Sequence, residues 1–310
     1  LVAFSGGILN SFNQFAVPAF TPVFLNLSLI AAALWAAPYF EQPVIALAWG
    51  VAFAGLSQLA FQIRFLLKLG LLPRPRFKRN HQGVKKISQL MLPAIIGSSV
   101  AQINLLLDTV IASFLIAGSV SWLYFSDRLV EFPLGVFGIA LATVILPSLS
   151  KQHAKQSADA FNQTLDWALR VVVLIAIPAA LALLLLAQPI LATLFEYGEF
   201  SANDSYMASL SLMAYSLGLP AFILIKVLAP AFYSRQDTKT PMKIAVKAMI
   251  ANMVLNIAFV VPMVTYNYQA PHVGLALATS ASAYINALML LIALKKEGTY
   301  SPLMGWWLLS

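Results

Sequence analysis

The sequence has no cysteine and only three histidines among its 310 residues. Disulfides, thiolate metal sites and cysteine nucleophiles are therefore excluded. His81, His153 and His272 are scattered without metal-ligand spacing and read as loop residues near lipid headgroups. Phosphate-loop chemistry is missing too: there is no G-x-x-x-x-G-K-[ST], hence no visible ATP motor. No H-E-x-x-H occurs, no Asp-rich cluster suggests a metal-dependent prenyl or glycosyl transferase, and the carboxylates are too dispersed for a paired acid/base centre. Charge is scarce: Asp, Glu, Lys and Arg make up 10% of the chain, against about 25% in a soluble domain. So few charges could not solvate the surface of a soluble fold this long.

What is present is apolar. Hydrophobic residues are 60% of the chain, and they fall in runs near the roughly 20 residues needed to cross hydrocarbon. The fold class expected is an all-α integral membrane protein, a polytopic bundle with about eight complete transmembrane helices. The expected spans are 16–37, 44–68, 88–116, 120–148, 162–187, 205–232, 240–265 and 272–294. Residues 1–13 resemble the tail of an earlier helix and 303–310 the start of a later one, so the expectation is the middle of a longer membrane protein.

The net charge of +8 acquires meaning from its placement. Arg64, Lys68, Arg74, Arg76, Lys78, Arg79, Lys85 and Lys86 surround the second loop. Lys151 and Lys155 mark the fourth loop, Arg235, Lys239 and Lys243 the sixth, and Lys295 and Lys296 follow the eighth span. The intervening loops hold no Lys or Arg but carry Glu41, Glu196, Glu199 and Asp204. This alternation is the positive-inside pattern. It predicts cytoplasmic basic loops at 69–87, 149–160, 233–240 and 295–302, and it argues against a nucleic-acid partner. Trp35, Trp49, Trp122, Trp167, Trp306 and Trp307 lie at or near span ends, where an aromatic belt belongs.

An internal echo accompanies the spans. "VFLNLSLI" (23–30) aligns with "MVLNIAFV" (253–260), pairing Asn26 with Asn256, and the following spans align with Gly50 opposite Gly274. Chance likeness between apolar helices is the plain alternative. Duplicated halves with substrate between them are common in transporters.

Four basic residues fall inside apolar runs: Arg128, Arg170, Lys226 and Lys247. A charge at the bilayer centre costs about 2.5–3.5 kcal/mol on insertion scales. Arg170 and Lys247 are close enough to a span end to snorkel, and Arg170 has Asp166 at i−4. Lys226, four residues before Pro230, either snorkels or lines a cavity. Arg128 is deeper, about 8 residues or roughly 12 Å from its helix end. With Asp127 and Glu131 it forms a polar face within an arc of about 100°. That face either holds the bundle together through an internal salt bridge or lines a polar cavity. In the second case a planar five-donor guanidinium suits a phosphate or diphosphate.

A second group is Asp108 in "NLLLDTVIASF", with Asn104 at i−4, Asn252 and Asn256 on the seventh span and Thr279 on the eighth. Their carboxylate, amide and hydroxyl oxygens suit a monovalent cation, Na+ or H+, as coupling ion. Interhelical hydrogen bonding is the plain alternative. No other cofactor is expected.

The stretch "GSVSWLYFSDRLVEFPLGVFGIALATVILPSLSKQ" (118–152) resembles the lipid II flippases, the MurJ (MviN) family of the multidrug/oligosaccharidyl-lipid/polysaccharide exporter superfamily. "GILNSFNQFAVPAFTPVFLN" (7–26) and "VLAPAFYSRQDTKTPMKIA" (227–245) are similar to further blocks of that family. The resemblance implies fourteen helices in two six-helix lobes plus two more. Residues 1–80 would end the N-terminal lobe, 81–298 would form the C-terminal lobe, and 299–310 would begin a further helix. It implies a transporter rather than an enzyme, one that carries lipid II, a polyprenyl-diphosphate-linked disaccharide-pentapeptide, across the bacterial cytoplasmic (inner) membrane for peptidoglycan synthesis. Lipid II, membrane lipids and cell-wall synthesis proteins would be the partners. Arg128 matches the arginine of the D-R-L-x-E-F-P block, placed by the family in a cationic cavity. The cavity arginines of the first two family helices have no counterpart here, so this segment alone is not expected to transport. Two other readings stand beside it. A cation-coupled drug or oligosaccharide-lipid exporter of the same superfamily would favour acidic cavity walls. A membrane enzyme acting on polyprenyl phosphates would yield a covalently altered lipid.

Overall fold

A computed structural model describes residues 1–12, 14–71 and 82–303, and only part of the side chains within 82–101. All regular elements among the described residues are helical. Hydrocarbon leaves an apolar chain few other choices, because a helix satisfies its backbone donors and acceptors within itself. The chain forms two compact units, Leu1–Arg79 and Asn80–Ser310.

The first unit holds α1 (Val2–Ser11), α2 (Ala16–Ala31) and α3 (Pro43–Lys68). A π-helical turn, Ala32–Ala36, and a 3-10 turn, Ala37–Tyr39, prolong α2. Leu9, Val17 and Leu66 form its small core. The rings of Phe24 and Phe61 meet at a tilt of 50° with centroids 5.1 Å apart, and a buried Gln62 donates to Thr21 at 3.0 Å.

Among the described residues the second unit holds eight α-helices: α4 (Gln82–Ser113), α5 (Ser119–Pro133), α6 (Ala140–Ala154), α7 (Ala158–Leu185), α8 (Ala187–Phe195), α9 (Ala202–Tyr233), α10 (Lys239–Thr265) and α11 (Val273–Lys296). Its axis is α9, which packs against α5, α6, α7, α8 and α11. Without a hydrophobic force between helices in lipid, close packing depends on small residues that let backbones approach. Here α9 supplies Ala208, Ser211, Ala214, Gly218 and Ala221 to the interior. Gly218 is indispensable: a Cβ there would lie 2.8 Å from the Cα of Ser280 on α11. A Ser201–Asp204 capping box starts α9, satisfying first-turn donors that would otherwise lack partners.

Among the described residues, seven stretches are long and apolar enough to cross a membrane: Ala16–Tyr39, Pro43–Lys68, Ser119–Ala154, Ala158–Leu185, Ala202–Tyr233, Lys239–Thr265 and Val273–Lys296. They coincide with seven of the eight expected spans. The eighth expected span, 88–116, falls on α4, a 32-residue helix whose apolar part among the described residues is Gln102–Ser113.

Two boundaries differ from the sequence reading. The expected span 120–148 is interrupted: α5 ends at Pro133, a π-helical segment follows over Leu134–Ile139, and α6 resumes. Pro133 has no N–H for the ladder, and a widened turn absorbs the defect. The expected loop 188–204 contains α8. Pro189 sits in the first turn of α8, where a missing N–H costs nothing because first-turn donors have no intrahelical acceptor. His272, expected in a loop near headgroups, is fully buried. His81, the loop basics Arg74, Arg76, Lys78 and Arg79, and the anticipated helix start from 304 onward lie outside the described residues.

Candidate functional site

The charged face of α5 follows from how that helix is held. Trp122, Ser126, Val130 and Pro133 are buried. At about 100° per residue they cluster on one side of the helix. Ser126 Oγ donates to the carbonyl of Ala208 on α9 at 2.6 Å. Trp122 Nε1 donates to Asp204 Oδ1 at 2.7 Å. The Trp122 ring occupies the space a side chain at residue 118 would need, and Gly118, at φ +101°, provides it. With that side fixed on α9, the same angular arithmetic turns Tyr124, Arg128 and Glu131 to the opposite side.

Arg128 Nη1 donates to Glu131 Oε2 at 2.7 Å, and the two side chains are 53% and 50% exposed. The guanidinium carbon lies 4.9 Å from the centroid of the Tyr124 ring. Asp127 is half-buried, and no ion pair joins it to Arg128 among the described residues. Sequence reasoning gave Glu131 and Asp127 like roles beside Arg128; the geometry gives the contact to Glu131 alone. Tyr124 was missed, although its place four residues before Arg128 is the signal for a stacked pair on one helix face. Lys226 stands elsewhere. It is exposed on α9, with its Cγ 3.5 Å from a Cβ built on Gly138 of the π-helical segment. Ten residues separate Gly138 from Arg128, about 15 Å along a helix.

The second group is assembled from three helices. Asp108 on α4 is buried. Its Oδ1 accepts from Asn256 Nδ2 of α10 at 2.6 Å. Its Oδ2 accepts from Thr279 Oγ1 of α11 at 3.3 Å and from Asn104 Nδ2 at 3.3 Å. Asn256 Nδ2 also donates to Asn252 Oδ1 at 3.0 Å. The structure thus brings together Asp108, Asn252, Asn256 and Thr279, all singled out from sequence. Asn104 Oδ1 and Asn256 Oδ1 are buried without a hydrogen-bond partner among the described residues. A cavity of ≈ 230 Å³ adjoins the group, with Asn104, Asn252, Thr279, Ser282 and Asn286 on its wall. Among the described residues no cluster of three or more His, Cys, Asp and Glu is placed to hold a metal. The chemistry available here is that of hard oxygen donors with one carboxylate.

At the far end of α5, His272 precedes α11 and its ring lies 4.9 Å from that of Trp122. Its Nε2 is 3.1 Å from the carbonyl of Met207. A carbonyl only accepts, so Nε2 carries the proton and Nδ1, which has no partner among the described residues, is bare. Burial pushes this imidazole below its ordinary pKa of 6.5, against the opposing pull of the Met207 carbonyl.

Comparison with known proteins agrees with this architecture. The family model "Lipid II flippase MurJ" matches residues 1–309. A probable lipid II flippase MurJ of Vibrio cholerae is 53% identical over 299 residues, 96% of this chain and 56% of that protein. A lipid II flippase MurJ of Burkholderia cenocepacia is 44% identical over 310 residues, 99% of this chain and 59% of that protein. A solved lipid II flippase MurJ in an inward closed conformation superposes with TM-score 0.73 at 28% identity, covering 97% of this chain and 60% of that one. A MATE transporter in a bent conformation shares the fold, with TM-score 0.71 at 12% identity. The chain therefore spans somewhat over half the length of the relatives it matches, and it belongs to the MurJ family of lipid II flippases.

Proposed function

We propose that this chain is part of a flippase that moves lipid II across the bacterial cytoplasmic membrane by alternating access, with the basic loops on the cytoplasmic side. Residues 1–80 would belong to one lobe and 81–298 to the other. The observation that carries this reading is an exposed Arg128–Glu131 pair nine residues, or about 14 Å, inside an apolar helix. Charges there are too costly to face lipid tails, so the face lines a water-filled cavity. Arg128 contacts the diphosphate of the headgroup through bidentate N–H···O bonds, and the polyprenyl tail stays in the bilayer. Glu131 holds the same guanidinium edge until phosphate oxygens displace it. With Asp127 the face bears no net positive charge, so the diphosphate needs cations besides Arg128. Lys226, on the exposed side of α9, is a second contact for headgroup oxygens deeper along the cavity. Cell-wall synthesis enzymes supply and consume the lipid.

The test is lipid II exposure at the outer leaflet in cells that depend on a full-length flippase carrying these residues, with Arg128→Ala at matched expression. Exposure collapses, on this reading, while lipid II accumulates chemically unchanged. A covalently altered lipid would point to an enzyme instead. Normal exposure would remove Arg128 from the substrate path.

A second reading concerns energy coupling. The two buried amide oxygens without partners, on Asn104 and Asn256, together with Asp108 and Thr279, suit a monovalent cation. Rotation of the two amides would turn those oxygens inward. Sodium replacing choline at constant ionic strength should then raise the melting temperature of the full-length protein and leave Asp108→Asn unmoved. Equal shifts in both proteins would remove the coupling role from Asp108.

A further inference from the structure

Arg128 has two partners on its own helix, and they engage different parts of it. Glu131 takes an N–H on the edge of the guanidinium, at 2.7 Å. The guanidinium carbon lies over the Tyr124 ring, 4.9 Å from its centroid. A phosphate oxygen and the Glu131 carboxylate seek the same in-plane donors, so substrate competes with Glu131. It does not compete with Tyr124, because a stacked ring uses the π face and leaves the hydrogen-bonding edge free. Tyr124 is itself braced. Its ring meets that of Phe125 edge-on at 5.7 Å, and Phe125 packs against Phe195 of α8 at 4.8 Å and Phe200 at 4.9 Å.

We infer that Tyr124 is a positioning residue for substrate: its ring fixes the plane of the Arg128 guanidinium, so that the donor edge stays aimed into the cavity when Glu131 is exchanged for the headgroup diphosphate. The inference rests on the reading of Arg128 as a diphosphate contact. Without the ring, a free arginine must lose rotamer freedom at the moment of binding, and affinity falls accordingly. What this role requires is the aromatic face of Tyr124.

Binding of lipid II to the purified full-length flippase carrying these residues tests the idea, with melting temperature followed in the same samples. Tyr124→Leu should weaken lipid II binding by about 3- to 30-fold, the range of a cation–π contact from exposed to desolvated, at unchanged melting temperature. Tyr124→Phe, which keeps the ring, should recover most of that loss. In an Arg128→Lys background, where no planar guanidinium remains, Tyr124→Leu should add little further. If Tyr124→Leu binds like the parent while Arg128→Ala does not, the positioning role falls and the Arg128 contact stands. If neither substitution changes binding, the underlying reading of Arg128 falls with it. A loss of binding that tracks a lowered melting temperature, or one that Tyr124→Phe fails to recover, overturns the inference in favour of packing or of the hydroxyl.

Discussion

The two polar groups of the second unit are built in opposite ways. Arg128, Glu131 and Tyr124 sit on one helix, within eight residues of each other, and their side chains are half-exposed or more. Asp108, Asn256 and Thr279 come from three helices, and the bond that closes them joins residues 148 positions apart. Removing a side chain from the open group leaves water to solvate its partners. Removing Asp108 takes the shared acceptor away from Asn256, Thr279 and Asn104 at once, and a buried donor left unmet is costly. The open group can therefore exchange its partners with water, whereas the closed group ties α4, α10 and α11 together through its hydrogen bonds.

Stability measurements on the full-length protein can break this contrast. The largest change should come from Asp108→Ala, which deletes three accepted hydrogen bonds. At roughly 0.6–1 kcal/mol each in a membrane bundle, the loss is about 2–3 kcal/mol. A loss below about 0.5 kcal/mol would mean that the group contributes nothing to registering the helices.

A mid-sized effect should come from His272 as the pH is lowered. Its pKa is depressed in the packed protein, so the packed state disfavours the proton. Both states are neutral above pH 6.5, and stability there is undiminished. As pH falls through 6.5 the unpacked state gains a proton that the packed one resists. The packed form then loses stability by at most about 1.4 kcal/mol per pH unit. His272→Gln should flatten the melting temperature between pH 7.5 and 5.5, and a mutant that follows the parent would assign the slope to other groups. The smallest effect belongs to the open group. Glu131→Gln breaks an exposed i,i+3 pair and should shift unfolding by less than about 0.5 kcal/mol. A large shift would mean that the Arg128 face is a structural clamp after all.

The aligned hairpins make a finer comparison. Gly50 approaches Ala32 and Ser28 of the preceding helix, and Gly274 approaches Val260 and Met263. Within its unit, Asn26 is exposed, whereas the aligned Asn256 is buried on Asp108. Similar sequence in the two hairpins thus carries similar backbone contacts but different polar partners, because the partner comes from a helix that the alignment does not include.

Amino-acid order alone determined the class of the molecule, its apolar helices and the charged face at "SDRLVEFP". Each of these depends on composition or on neighbours within two turns, and a helix converts such spacing directly into direction. Sequence also nominated Asp108, Asn252, Asn256 and Thr279, polar residues in apolar runs, for a monovalent cation or for interhelical hydrogen bonds, because a polar group there must find partners. Tertiary structure decided that they meet one another, that His272 is sealed against Trp122, and that Asp204 caps α9 while gripping α5. It also decided that Glu131, not Asp127, holds Arg128. Those outcomes depend on which helix faces meet and which rotamers then fit, and neither is written in the periodicity of a single helix.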